Sequence, residues 1–161
     1  MATPTNLPAA FVSGAILTAD QMNNLRGAFR ILQVVSGTTT TLTTNATATY
    51  ADTTLTATIT PQSTTNKILV LVNQVLYHDT ANGNSSVRLV RDSTTLQQQD
   101  DSVYNAGAAI IGNISFMYVD SPVTTSATTY KTTFNRRAGS GTVTVQVNSA
   151  PANIILLEVS A

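Results

Sequence analysis

The chain carries one histidine, His78, followed directly by Asp79. A histidine beside an acid invites a nucleophile–base reading, in which imidazole takes a proton from a hydroxyl and a carboxylate orients the ring. The pair ends an apolar, strand-like run from Lys67 to His78, however, and adjacent strand residues point to opposite faces. Asp79 is therefore not placed to orient the ring, and His78 reads as a strand-end surface residue. Asp100 and Asp101 form the other acidic pair. Glycosidase chemistry needs two carboxylates about 5–9 Å apart across the scissile bond. Neighbours within Gln97-Gln98-Gln99-Asp100-Asp101 read instead as a polar loop or an edge strand. Asp79, Asn82 and Asn84 flank Gly83 as in part of a calcium loop, but the closing bidentate glutamate is missing, and a hairpin turn explains them better. Gly139-Ser140-Gly141 is a turn between strands, with no helix N-terminus to face a phosphate. Arg136-Arg137 suits a surface salt bridge, with bidentate capture of a carboxylate or acidic sugar as the alternative. Sequons at Asn45, Asn84 and Asn113 are what a Thr- and Asn-rich chain produces by chance. With no tryptophan, and Tyr50, Tyr77, Tyr104, Tyr118 and Tyr130 scattered, binding of a host-surface glycan is permitted but not indicated. No catalytic, cofactor-binding or metal-ligating set emerges; the expectation is a non-enzymatic protein without a cofactor.

Composition points the same way. The 161 residues balance eight basic against eight acidic side chains, and only 10% are charged, against about 25% in an average soluble domain. That excludes the basic footprint of a nucleic-acid binder. With no cysteine there is no disulfide framework and no thiolate-held zinc. Hydrophobic content is 42%, enough for a folded core. The surface must then be built of uncharged hydroxyls and amides, and 29 threonines and 13 asparagines supply them. Threonine is β-branched and fits a pleated strand. No leader-like segment is expected in the first 15 residues, and no membrane insertion, since the apolar runs, Ile68 to Val72 and Ile154 to Leu157 among them, are far below the roughly 20 residues of a membrane helix.

The elements divide at residue 30. Pro4 and Pro8 make the first residues an extended arm. Thr18 is a good N-cap with Gln21 three residues on, Leu17 and Met22 sit at the staple positions, and Met22, Leu25 and Phe29 repeat at helical spacing. A short helix over 19–28 follows. It is too short to be stable alone and must dock on something, either its own β domain or a partner. From Ile31 the period becomes two. Candidate strands are Ile31 to Val35, Thr40 to Ala51, Leu55 to Thr60, Lys67 to His78, Val87 to Asp92, Ala108 to Val119, Thr128 to Arg136, Gly141 to Asn148 and Asn153 to Val159, with turn residues between them, Ser36-Gly37 and Asn82-Gly83 included. Two runs, Ile68 to Val72 and Ile154 to Leu157, are apolar on both faces, which places them centrally or against a neighbouring subunit. The expected architecture is an antiparallel, jelly-roll-like β-sandwich over 31–161, preceded by the arm and helix of 1–30.

Several segments carry a family resemblance: Ile31-Leu32-Gln33-Val34-Val35, the run from Ile59 through Pro61 to Val70, Val87-Arg88-Leu89-Val90-Arg91-Asp92, the run from Asp120 to Lys131, and the closing strand Ile154 to Val159. As a series they resemble a β-rich domain of tail-fibre-like and other structural proteins of tailed bacteriophages. The segment Ala15 to Leu25 is similar to a short N-terminal motif of phage virion proteins. The resemblance implies a virion location, a homotrimer, and partners among other tail or capsid proteins. It brings no catalytic residue. Two roles follow from it: a tail-fibre-like appendage involved in host attachment, or a capsid decoration (cement) protein stabilising the head. The second gains from the short stretch ahead of Ile31, which leaves no room for a fibre shaft. In either role Leu17, Met22, Leu25 and Phe29 are the expected anchor onto the particle.

Overall fold

The computed structural model describes residues 31–160, with Gly14, Ile16, Thr18 and Ala19 ahead of them. The helix expected over 19–28 therefore lies outside the described residues, apart from Ala19, and so do Leu17, Met22, Leu25 and Phe29. The described residues form ten strands: β1 (Ile31–Thr39), β2 (Thr43–Asn45), β3 (Ala51–Ile59), β4 (Lys67–His78), β5 (Gly83–Arg91), β6 (Thr94–Asn105), β7 (Ile110–Asp120), β8 (Thr128–Ala138), β9 (Val143–Val145) and β10 (Ala152–Val159), with one 3-10 turn at Val147–Ser149.

All pairings are antiparallel. The larger sheet runs β1-β10-β4-β9-β2 with β7 also on β4; the smaller runs β3-β8-β5-β6. Strand β10 follows β4 from Lys67 to Asn73 and β9 follows it from Leu76 to His78, so these two share one edge. Strand β7 lines the other edge from Ile68 to His78. Apart from the short β2 and β9, the sandwich is β1-β10-β4-β7 packed on β3-β8-β5-β6, the strand order of a jelly roll. The expected fold class is what forms.

The core lies between the sheets. Ile68, Val70, Val72 and Leu76 of β4 join Ile114 and Phe116 of β7 and Ile154 and Leu156 of β10. Across from them stand Leu55, Ile59, Val87, Leu89, Tyr130 and Phe134. Period-two alternation in each strand delivers these side chains to one face. Two buried carboxylates lock one end. Ile68 is register partner of both Glu158 and Asp120, so the acids flank it on a single row. Asp120 accepts hydrogen bonds from the Tyr130 hydroxyl at 2.6 Å and from Arg91 Nη1 at 2.7 and 2.9 Å, tying the larger sheet to the smaller. Glu158 accepts from Gln33 Nε2 and Asn66 Nδ2 at 2.6 Å and from the Gln62 amide at 2.7 Å, tying β10 to β1 and to the loop before β4.

Several expectations are corrected. The strand expected over Thr40 to Ala51 shrinks to β2, because Asn45 Oδ1 takes the Thr47 amide at 2.9 Å and turns the chain. The last part of the strand expected over Gly141 to Asn148 is lost where Gln146 adopts φ 54 and leaves the extended region. Asn82 has the positive φ expected of it, at 56, but β4 and β5 belong to different sheets, so the turn crosses between layers and is no hairpin. The stretch holding Asp100 and Asp101, expected as a polar loop or an edge strand, is the second of these: the twelve-residue edge strand β6.

Ser36-Gly37, expected as a turn, lies inside β1. A Cβ on Gly37 would sit 2.0 Å from the Thr56 carbonyl oxygen of β3. The glycine therefore lets an edge strand of one sheet approach an edge strand of the other and closes that side of the sandwich. Strand β3 meets it with a bulge: its register to β8 shifts between Asp52 and Thr56, with Thr54 at φ 67. Gly37→Ala is expected to lower stability by about 1–3 kcal/mol, the usual cost of forcing extra volume into a packed contact. Urea denaturation checks this; an unchanged midpoint would mean the two edges can part freely.

Candidate functional site

The residues singled out for chemistry are each placed in structural contacts. His78, expected at the surface, is fully buried. Its Nδ1 lies 3.1 Å from the Thr80 carbonyl, and a Cβ on Gly83 would fall 2.0 Å from the ring, so the imidazole is wedged under the start of β5. Asp79 turns to the exterior, where its Oδ1 takes the Thr80 hydroxyl at 2.6 Å and the Thr142 amide at 2.7 Å. These donors, Thr80 first, hold its carboxyl below the usual aspartate range. The two side chains thus lie on opposite sides of the chain, one buried and one exposed, and the carboxylate does not orient the ring. Asp100 accepts from Ser86 and Gln98, both at 2.7 Å, and Asp101 pairs with Arg137 Nη1 at 2.6 Å. A bulge between Ser85 and Val87, opposite Asp101 at φ 50, brings both acids to Arg137. Arg137 makes the surface salt bridge expected of the basic pair, while Arg136 donates to the Gly141 carbonyl.

Other candidates disperse. Asn84 donates to Asp101, away from Asp79. No group of three or more His, Cys, Asp or Glu that could hold a metal occurs among the described residues. Gly139 and Gly141, at φ 79 and 87, pack tightly on the β4–β5 turn. Tyr130 is buried, Tyr50 lies under Arg88 with 3.5 Å from the guanidinium carbon to the ring centre, and Tyr104 is exposed elsewhere, so the rings form no shared platform. Among the described residues, no helix is long and apolar enough to cross a membrane.

What does assemble is a surface. Alternate residues of β1, β10, β4 and β7 point away from the core, and register lines them up in rows. Val34, Leu157, Leu69 and Val119 are successive partners across the four strands, and Ser36, Ile155, Leu71 and Met117 form the next row. Seven of these eight side chains are apolar. Leu69, Leu71, Ile155 and Leu157 are half-buried by one another, whereas Val34, Val119 and Met117 are 59%, 62% and 79% exposed. A shallow depression of about 230 Å³ lies between Leu71, Met117 and Ile155. The third row, Thr38, Asn153, Asn73 and Ser115, is polar and uncharged. Two rows across four strands span about 19 by 14 Å at ordinary strand spacing, close to the largest apolar patch that a typical monomer exposes, and such patches are often functional. The two-faced runs Ile68 to Val72 and Ile154 to Leu157 signalled half of this surface. Val34, Met117 and Val119 join it only through register.

No family model matches the sequence, and no curated protein matches it. Among solved structures, it is similar to the infectious bursal disease virus VP2 subviral particle, at 15% identity and a TM-score of 0.44 over 80% of this chain. Structures of the Gt and Gx strains of that virus score 0.45, at 12% and 13% identity, over 79% and 80% of the chain. The chain spans 37–40% of the length of these proteins. The likeness is one of strand arrangement at very low identity.

Glu158 is a fully buried acid held by three donors. Burial alone would raise its pKa, but donors from Asn66, Gln33 and Gln62 outweigh that and hold it below the ordinary value. A depressed folded pKa means that its contribution is present above the unfolded value, near 4.5, and is lost as pH falls through the folded one. Glu158→Gln puts an amide donor against the Gln33 and Asn66 donors. It should cost about 1.5–3 kcal/mol at neutral pH, the scale for hydrogen bonds to a charged group. In chemical denaturation the gap between the parent chain and this variant should narrow below pH 4.5. An equal gap at pH 7 and pH 3 would contradict the assignment.

Proposed function

We propose that this protein is a non-enzymatic structural component of a bacteriophage particle, a tail-fibre-like appendage involved in host attachment. It acts as a homotrimer, with residues 1–30 as the anchor to the particle and the sandwich facing outward. The observation that carries this reading is the uncharged apolar outer face of the larger sheet on a domain whose remaining exterior is rich in hydroxyls and amides, with few charges, several of them in surface ion pairs. Such a molecule is made to be assembled, and the chemistry-bearing residues spend their polar groups on holding the sandwich together. The resemblance of the segments between Ile31 and Val159 to phage structural domains supplies the particle. The anchor rests on the spacing of Leu17, Met22, Leu25 and Phe29. Burying each side chain is worth about 1.5–3 kcal/mol, and several copies acting together add avidity. Of the charges ahead of Lys67 only Asp20, Arg26, Arg30 and Asp52 occur, so attachment through this region is apolar and tolerates salt.

Two measurements test this. Quantifying the protein in purified particles, together with electron microscopy of labelled virions, should find a few to a few dozen copies on the tail. Hundreds of copies on the head would instead make it a capsid decoration protein, and absence from particles would refute a virion role. Deleting residues 2–28, or combining Leu25→Asp with Phe29→Asp, should leave a folded oligomer that fails to bind particles lacking the native protein. Normal binding by the deletion would refute the anchor, and unfolding would mean that this region belongs to the sandwich.

A further inference from the structure

We infer that the outer face of β1-β10-β4-β7 is the surface through which copies of this chain meet, packed around a three-fold axis with the Val34–Leu157–Leu69–Val119 and Ser36–Ile155–Leu71–Met117 rows turned inward. This rests on the homotrimer reading above and names its interface.

The first argument is charge. In the three rows between Val159–Lys67 and Val75–Asn113, the outward side chains include no charged group. A heterologous partner that recognised this face by charge would have nothing to read. Three identical uncharged faces, by contrast, meet without repulsion, and the polar row of Thr38, Asn153, Asn73 and Ser115 can pair with itself across the axis through hydroxyl and amide groups, which both donate and accept.

The second argument is dimension. Four strands at ordinary spacing make a face about 19 Å wide. Three such faces enclose a triangle whose sides stand about 5.5 Å from its axis, half the roughly 10 Å at which sheets stack. Side chains of Leu and Met size fill that gap without leaving a channel. The four strands run together over the seven residues Lys67 to Asn73, about 24 Å, so the shared outer face projects about 450 Å² per copy.

The third argument is the gradient of exposure. The side chains at the centre of the face are half-buried by their neighbours, and the most exposed are those of β7 and β1 at its two sides. In a triangular arrangement these two sides come together at each corner, so Met117 and Val119 of one copy approach Val34 of the next.

The test uses the full chain. Light scattering coupled to size exclusion should give a mass three times that of one chain at micromolar concentration. Met117→Glu combined with Val119→Glu alters two largely exposed positions, which leaves the core intact, and should give a monomer with unchanged far-UV circular dichroism. Because the chain has no cysteine, Met117→Cys provides a second readout. Combined with Val34→Cys, it lets a short bismaleimide join position 117 of one copy to position 34 of the next, which a Thr58→Cys control on the exposed side of β3 does not allow. A parent trimer that survives the double glutamate substitution and does not cross-link between positions 117 and 34 overturns this interface while leaving the trimer standing. A parent monomer overturns both and gives the face to residues 1–30 or to another virion protein. A dimer overturns the three-fold packing. Copy number in the virion is measured independently of all these outcomes.

Discussion

Strand β4 must satisfy two apolar faces at once, and most of the structure is arranged around that constraint. Its inward residues Ile68, Val70, Val72 and Leu76 need the smaller sheet above them, and its backbone needs partners along both edges. Strand β7 fills one edge throughout, while β10 and β9 divide the other. The outward residues Leu69 and Leu71 have no layer above them within the described residues. A sandwich core has only one interior, so the second apolar face is surplus to folding and, with the interface proposed above, belongs to assembly.

The polar chemistry serves the first face. With few charges to place, the chain uses neutral donors and single acids where the layers must hold. Gln74 Oε1 accepts from Thr132 at 2.7 Å across the sandwich, and Thr53 and Thr132 hydroxyls meet at 2.5 Å beside the β3 bulge. Glu158 and Asp120 close the end where β1 begins. Each is fully or nearly buried, and each is surrounded by donors, as a buried carboxylate must be. This leaves the outer surfaces free of strong fields, which suits a protein that associates through shape and apolar area.

Legibility in the sequence followed how strongly each segment was constrained. The limits of β4 could be read because apolar residues recur on both faces from Ile68 to Tyr77, with only Asn73-Gln74 between them, and polar turns bound it on both sides. The jelly-roll-like sandwich could be read from the number and spacing of such runs. Strand β6 could be read only as a loop or an edge strand, because its middle, Gln97 to Asp101, is polar on both faces: what holds it extended is cross-strand pairing, such as Arg88 Nε to Gln98 Oε1 at 2.6 Å, which has no periodic signature. Ser36-Gly37 reads as a turn because glycine ordinarily breaks a strand, and here Gly37 permits contact between strands instead. His78 was placed at the surface because local pattern carries no information about the loop that folds over it. The interaction face was half legible, since two of its strands announced a second apolar side but the outer strands needed register to join them.

The claim that this second face is covered in the working protein can be measured at one atom. Met117 is 79% exposed on the isolated chain, and a thioether at that exposure reacts readily with peroxide to the sulfoxide. Peptide mass spectrometry after brief peroxide treatment should show Met117 oxidising several-fold more slowly in the native protein than in the same protein unfolded in urea. Equal rates in the two states would mean that the face stays open to solvent, and the account of it as an assembly surface would be wrong.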